Sequence, residues 1–251
     1  MIKPDKAAII IQARMGSSRL PHKMSLKLGQ QTVFQFLVNR LKNASLGIDI
    51  VLATTSQPVD EYLEQEGEKL GLGVFRGEET NVLKRFHDAA TYFDIKTIIR
   101  ICADNIYIAP SEIIRLMKIF SKGNYDYVAN ATPEGKNLIL TGAGLAVEIV
   151  TKEAIQKGLE NKIDSYHKEH VTPYFYENPG LFHTQLSPVE FDIPANLRLT
   201  LDIMEDYENL KQIYRKLGAE ADIIEIIHFV REQPSLLQRM KEISSAQMKG
   251  R

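Results

Sequence analysis

The 251-residue sequence contains one cysteine, Cys102. That excludes an internal disulfide framework and any zinc centre built on several thiolates, and it fits a reducing compartment. Long apolar runs are also missing. Ala7 to Ile11 is continuously apolar, but such a run is too short for a signal-peptide core and far below the ~18 residues that span a bilayer. Charge of one sign is not in excess: 31 Lys plus Arg stand against 32 Asp plus Glu, a net charge of −1. This balance argues against a general nucleic-acid or membrane binder. Repeats and low-complexity linkers are absent, and the ordinary content of 15 Gly and 10 Pro excludes collagen, coiled coil and extensive disorder. The expectation is a soluble cytoplasmic protein that binds neither nucleic acid nor membrane.

Apolar side chains make up 44% of the chain, and a chain of this length buries roughly 70–75% of its unfolded surface. Short apolar runs at 7–11, 50–53 and 98–102 suit strands covered on both faces. Helical patterns separate them. One covers 60–70 and stops at Gly71; another covers 81–93, with Val82, Leu83, Phe86, Ala89, Ala90 and Phe93 on one stripe; a third covers 111–120 behind Pro110. In the second half, Leu145, Val147 and Ile149 alternate as in a strand, and Thr151 is placed to cap a following helix. Further strands are expected at 181–186 and 198–201, then helices at 205–217, 223–231 and 236–243, with 244–251 frayed. Alternating strands and helices with no break in composition predict one α/β domain over 1–251, a three-layer α/β/α sandwich on a Rossmann-like mixed sheet.

The segment richest in chemistry is Gln12-Ala13-Arg14-Met15-Gly16-Ser17-Ser18-Arg19-Leu20-Pro21-His22-Lys23. It leaves the first buried strand at its carboxyl end, where open α/β sheets bind ligands. Gly16, Ser17 and Ser18 let backbone amides approach a polyanion, and Arg14, Arg19 and Lys23 supply charge-assisted hydrogen bonds to phosphate. It is not a Walker A loop, because no second glycine precedes Lys23 and Met24 stands where a hydroxyl would hold magnesium. GxGxxG is missing as well. On residue types alone, a solvated basic surface loop remains the other reading.

This string resembles the signature of the cytidylyltransferase family, on the branch of the spore-coat polysaccharide proteins and near the CMP-sugar synthetases. Further similarities run in order over about residues 7–210. They are Val74-Phe75-Arg76-Gly77 with Val82-Leu83-Lys84-Arg85, Arg100-Ile101-Cys102-Ala103-Asp104, Gly144 to Ile149, Glu169-His170-Val171-Thr172-Pro173-Tyr174, and Leu199-Thr200-Leu201-Asp202 with Glu205-Asp206. The resemblance implies a glycosyltransferase-A-like nucleotidyltransferase that moves a cytidylyl group from CTP to a sugar-type acceptor and releases pyrophosphate. Gln12, Ala13, Arg14, Gly16, Ser17, Ser18, Arg19, Lys23 and Arg76 would then bind nucleotide, with Arg14, Arg19 and Lys23 acting on the triphosphate. Asp104 and Asp202 would hold Mg2+. Arg100, Glu148 and His170 would face the acceptor, and an excursion around 137–188 would mediate a homodimer.

Each of these residues also has a plainer reading. Aspartates after strands commonly cap turns. Arg76 and Arg100 each suit an ion pair as well as a phosphate or acceptor, and Glu148 suits solvent as well as a sugar. His170 suits packing, and His167, His170 and His183 lack zinc-ligand spacing. Cys102, within an apolar strand, reads as an inert core thiol. The sequence departs from the family pattern in three places. His22 replaces the usual glycine before the lysine, Asn105-Ile106 follows Asp104 where Cys or Asn and then Pro is usual, and Ala146 stands where an acidic residue is common. Two other functions compete: a glycosyltransferase consuming a nucleotide-sugar, which would ordinarily carry the Asp-x-Asp triplet missing here, and a nucleotide-binding protein that has lost catalysis.

Overall fold

The computed structural model describes residues 6–161 and 163–249. In β1 (Ala7–Gln12) the side chains alternate between two apolar layers, Ala8 and Ile10 to one and Ile9 and Ile11 to the other. That is why an unbroken apolar run forms a strand here: both faces of the sheet are covered. In chain order the remaining elements are the short hairpin β2 (Lys27–Leu28) and β3 (Gln31–Thr32), α1 (Val33–Asn43), β4 (Asp49–Thr55), α2 (Glu61–Lys69), β5 (Gly73–Gly77), α3 (Val82–Tyr92), β6 (Thr97–Cys102) and α4 (Pro110–Phe120). The second half adds β7 (Tyr127–Ala131), β8 (Glu148–Thr151), α5 (Lys152–Glu160), α6 (Ser165–His170), α7 (Pro173–Tyr176), β9 (Thr184–Pro188), α8 (Met204–Leu217), α9 (Ile223–Arg231) and α10 (Pro234–Lys249).

Seven strands form one sheet in the order β5-β4-β1-β6-β8-β7-β9. All run parallel except β8, which pairs antiparallel with both β6 and β7. One layer packs α1, α2, α4, α8, α9 and α10 against Ile9, Ile11, Ile99 and Ile101. The other packs α3, α5 and α7 against Ala8, Ile10, Ile98 and Val150. The three-layer α/β sandwich is therefore the observed architecture. Gln12 and Cys102 end neighbouring strands in register, so the loops after β1 and β6 leave the sheet side by side.

Four expected boundaries shift, each for a local reason. The alternation at 145–149 enters the ladder only at Glu148, because the Asn130 amide donates to Leu145 O at 2.9 Å and accepts from Val147 N at 2.9 Å. The strand expected at 181–186 begins at Thr184, since Leu181 N and Phe182 N donate to Asn178 O in a helical turn. Residues 198–201 form no strand. Leu199 N donates to Ala143 O and Leu201 N to Asp104 O, so consecutive bonds go to two different segments and no ladder can propagate. The tail expected to fray continues α10 to Lys249, with Ser244 Oγ donating to Met240 O at 2.9 Å; Gly250 and Arg251 lie outside the described residues.

Candidate active site

Past β1 the in-and-out alternation persists for one more turn of pleat. Ala13 and Met15 are buried, and Gln12 and Arg14 are half-buried. Met15 is tied at both ends of its peptide. Its N–H donates to Asp60 Oδ1 at 2.6 Å, and its carbonyl accepts from His22 N at 3.0 Å. Asp60 is buried in turn, and its second oxygen accepts from Thr55 Oγ1. The chain from Gly16 to Pro21 is thus pinched at its base, with Gly16, Ser18 and Arg19 exposed at the tip. A Cβ on Gly16 would meet only Glu79 Oε1, at 3.8 Å, so the backbone there is open to a ligand.

Lys23 turns inward from the far side of this loop. Its Nζ donates to Leu201 O at 2.7 Å and to Asp104 Oδ2 at 3.3 Å, and lies 3.8 Å from Asp202 Oδ1. Arg19 reaches the same Asp202 Oδ1 at 2.8 Å. The two aspartates, about a hundred residues apart in sequence, are joined by the backbone itself through Leu201 N to Asp104 O at 2.9 Å. Asp202 is also held from behind. Buried Arg198 donates Nη2 to Asp202 Oδ2 at 3.3 Å, and Arg198 is gripped by both oxygens of buried Asp206, at 2.7 and 2.9 Å. Asp206 Oδ2 accepts as well from Asp202 N and Ile203 N.

A polar row crosses the sheet beside this cluster. The register pairs Arg100 with Glu148 across β6 and β8 and with Ile10 across β6 and β1, two residues before Gln12, the last residue of β1. Arg100 Nη1 donates to Glu148 Oε2, and its Nη2 donates to Gln12 Oε1 at 3.2 Å. Tyr127 OH donates to Glu148 Oε1 at 2.5 Å, and Asn137 Nδ2 donates to Tyr127 OH at 2.8 Å. Glu148 is 1% exposed, so it points to no solvent, and both of its oxygens are spent within the protein. As placed, Arg100 and Glu148 form a buried ion pair.

The other sequence candidates lie outside the lysine cluster. Arg76 spends Nε on Thr55 O, Nη1 on Glu64 and Nη2 on Gln57 O, which fastens the end of β4. His170, the last residue of α6, is exposed and lies against Tyr166 with ring centroids 4.6 Å apart and planes tilted by 54°. Next to it in the chain, Glu169 comes within 3.7 Å of Arg14 Nη2. The Ala13 side chain belongs to the core, so that residue offers a ligand its backbone only. Burial pushes the Cys102 thiol up to about 12, with Asp104 and Glu148 adding to the rise against the opposing charge of Arg100, so it stays protonated at neutral pH.

Among the described residues no three His, Cys, Asp or Glu side chains gather in a metal-binding group. Asp104 and Asp202 remain as a pair of hard oxygen donors around one cationic position, with side-chain exposures of 31% and 15%. Such a pair suits Mg2+, which takes one or two carboxylates and completes its octahedron with phosphate and water.

A family model described as cytidylyltransferase matches residues 8–243. The chain belongs to the cytidylyltransferase family. It is 35% identical over 222 residues to the spore coat polysaccharide biosynthesis protein SpsF of Bacillus subtilis, covering 85% of this chain and 88% of that one. Among solved structures it resembles a cytidylyltransferase from Leptospira borgpetersenii, with 32% identity, a TM-score of 0.84, and coverage of 93% and 97%. The fold is shared with a CMP:2-keto-3-deoxy-manno-octonic acid synthetase complexed with CTP, at 16% identity and a TM-score of 0.64, covering 84% and 99%. As a member of this family the protein is a nucleotidyltransferase.

Two departures from the family pattern have a structural explanation in this cytidylyltransferase. His22 occupies the left-handed region at φ 58°, ψ 21°, a conformation that glycine adopts without cost, and its exposed ring caps nothing. After Asp104 the turn is carried by buried Asn105, whose N–H donates to Cys102 O at 3.0 Å, and Ile106 then plugs the core. Sequence reasoning passed over Arg198 and Asp206 as site residues, and also Arg85. Arg85 is 1% exposed and donates Nη1 to the carbonyls of Glu78 and Glu79; burial, followed by the charge of Arg14, lowers it to about 10. A signal for the crossing that carries Arg198 was present in two glycines. A Cβ at Gly142 would stand 2.9 Å from Arg198 Nη1, and one at Gly144, where φ is +70°, 2.5 Å from the backbone at Leu199 and Thr200. Those glycines mark where the segment carrying Asp202 crosses.

Proposed function

We propose that this cytidylyltransferase transfers CMP from CTP to a sugar acid or sugar phosphate, with Mg2+ and release of pyrophosphate, to supply an activated sugar for surface polysaccharide. The observation that carries the reading is the convergence of Lys23 and Arg19 with Asp104 and Asp202 beside an open, glycine-containing loop. Asp104 and Asp202 would hold the divalent cation, which when bound supplies positive charge against the triphosphate. The loop's backbone at Gly16 to Ser18 binds phosphate oxygens. Arg14, Arg19 and Lys23 neutralise charge as it develops on the departing pyrophosphate, the kind of electrostatic stabilisation on which phosphoryl-type transfer chiefly relies. An acceptor oxygen attacks the α-phosphorus in line, a new P–O bond forms, and the bond to the β-phosphate oxygen breaks. An acceptor that is already ionised, as a sugar phosphate is, needs no side-chain base.

Arg100 and Glu148, paired with each other, act on the acceptor only by stiffening the sheet surface beside it, and His170 borders the acceptor side from α6. The protein works in the cytoplasm, where CTP is made, and no helix among the described residues is long and apolar enough to cross a membrane. It pairs as a homodimer through the excursion at 137–188. Supporting that, Leu140, Tyr166 and Leu181 are three of the large apolar side chains left about half exposed, and all lie in that stretch.

Pyrophosphate release measured with each of the four nucleoside triphosphates, Mg2+, and pooled sugar phosphates and keto-sugar acids tests the reaction. Release with CTP, abolished by Asp104→Asn, is the expected result. Turnover of a nucleotide-sugar without pyrophosphate, or full activity in Asp104→Asn, overturns it.

A further inference from the structure

The carboxylates assigned to the metal already have cations on them. Lys23 Nζ lies 3.3 Å from Asp104 Oδ2 and 3.8 Å from Asp202 Oδ1, and Arg19 sits 2.8 Å from that same Asp202 oxygen. Arg198 holds the other Asp202 oxygen at 3.3 Å, while Asp206 balances Arg198. Three basic and three acidic side chains thus form a neutral set without any ligand. Mg2+ would bind these oxygens at about 2.0–2.1 Å, inside the distance at which the Lys23 ammonium stands. A dication and that ammonium would face one another across a few ångströms in a partly buried site, where their repulsion is large.

The residues differ in how readily they can leave. Arg198 is buried and locked by two hydrogen bonds to Asp206. Arg19 is 49% exposed and held by one contact, so it can swing outward. Lys23 is 11% exposed, but its long stem starts on the phosphate loop and its carbonyl partner, Leu201 O, is neutral. A triphosphate arriving on the loop offers both cations several anionic oxygens at once.

Resting on the reading of the loop as a polyphosphate site, we propose that Lys23 and Arg19 are resident counter-ions of Asp104 and Asp202. They exclude a lone divalent cation and are drawn off by the incoming triphosphate, so metal and triphosphate bind with strong positive coupling. The coupling is reciprocal by linkage: whatever factor triphosphate adds to metal affinity, metal adds to triphosphate affinity. Lys23 therefore opposes metal binding in one state and supports phosphate binding in the other. A merely structural lysine would do neither.

Mn2+ binding to the full chain, followed by electron paramagnetic resonance, tests this. It is measured alone, with CTP, and with inorganic tripolyphosphate, after subtracting the chelation of Mn2+ by the free polyphosphate. Wild type should bind Mn2+ weakly alone and on the order of tenfold or more tightly with polyphosphate. Lys23→Met should bind Mn2+ alone more tightly than wild type and lose most of the coupling. Arg19→Gln, a change at an exposed side chain, should shift both quantities in the same directions by less, and it serves if Lys23→Met does not fold. Equal Mn2+ affinity with and without polyphosphate in wild type, or weaker binding of Mn2+ alone by the folded variants, overturns the proposal. Coupling with tripolyphosphate but none with CTP supports it and defeats the nucleotide assignment instead.

Discussion

Both oxygens of Glu148 are engaged, one by Arg100 and one by Tyr127, and those side chains are 5% and 0% exposed. Glu148→Ala leaves the Arg100 guanidinium buried without its counter-charge, a change that typically costs about 3–5 kcal/mol. Urea denaturation should show that loss, and Glu148→Gln, which keeps the shape and one of the two acceptor oxygens, should lose less than the alanine variant. At this scale the sequence was legible where chemistry and motif coincide. Arg14, Arg19, Lys23, Asp104 and Asp202 are all candidates from the sequence and its resemblance, and the structure brings the last four to one point. Spacing could not reveal Arg198 and Asp206, because their part depends on a crossing between segments that sequence periodicity does not encode. Arg100 and Glu148 show the reverse problem. Their residue types fitted a ligand equally well, and only the antiparallel register of β6 and β8 shows that they meet each other.

Among the elements, α6 and α7 are tied to each other by a group that protonates. His167 Nδ1 lies 2.7 Å from Asp164 Oδ1, at the start of α6, and Nε2 lies 3.0 Å from Glu177 Oε2, just after α7. Burial alone would lower this imidazole, but the hydrogen bonds to Glu177 and Asp164 outweigh it, and the group is raised above its ordinary 6.5. A raised value in the folded state means the clamp contributes fully below the ordinary value and is lost as pH rises through the folded one. Amide hydrogen exchange over 165–176 should therefore quicken from pH 6 to pH 8.5 beyond the intrinsic rate change, while exchange in β1 does not. His167→Gln should remove the difference. The segment is poised for such loosening, since Val171, the first of the two residues joining the helices, is β-branched and sits at φ 70°. Reading elements from apolar runs located β1, β4 and β6 but passed over α1. The signal for α1 lay in its cap, where Thr32 Oγ1 accepts from Gln35 N and Gln35 Oε1 from Thr32 N. At β8 the alternation was genuine, yet the Asn130 side chain took the bonds that would have lengthened the strand.

For the whole molecule, the proposed homodimer predicts twice the chain mass in light scattering. Leu140→Asp together with Leu181→Asp should shift it to one chain mass if the half-exposed apolar side chains at 137–188 meet a second copy. A wild-type protein that is monomeric at all concentrations removes the dimer. The α/β class was legible because the apolar runs and helical stripes alternate over the whole chain, whereas the reversal at β8 and the non-strand crossing at 198–202 depend on long-range pairings. That crossing has a consequence for the order in which the protein is made. The bond from Lys23 to Leu201 O spans 178 residues, so a chain still emerging from the ribosome carries the loop before Lys23 long before Asp202 exists. Until residues 198–202 have been made and folded back, the nascent protein has no second carboxylate to set against Lys23, and that cluster closes only after all seven strands of the sheet have been synthesised.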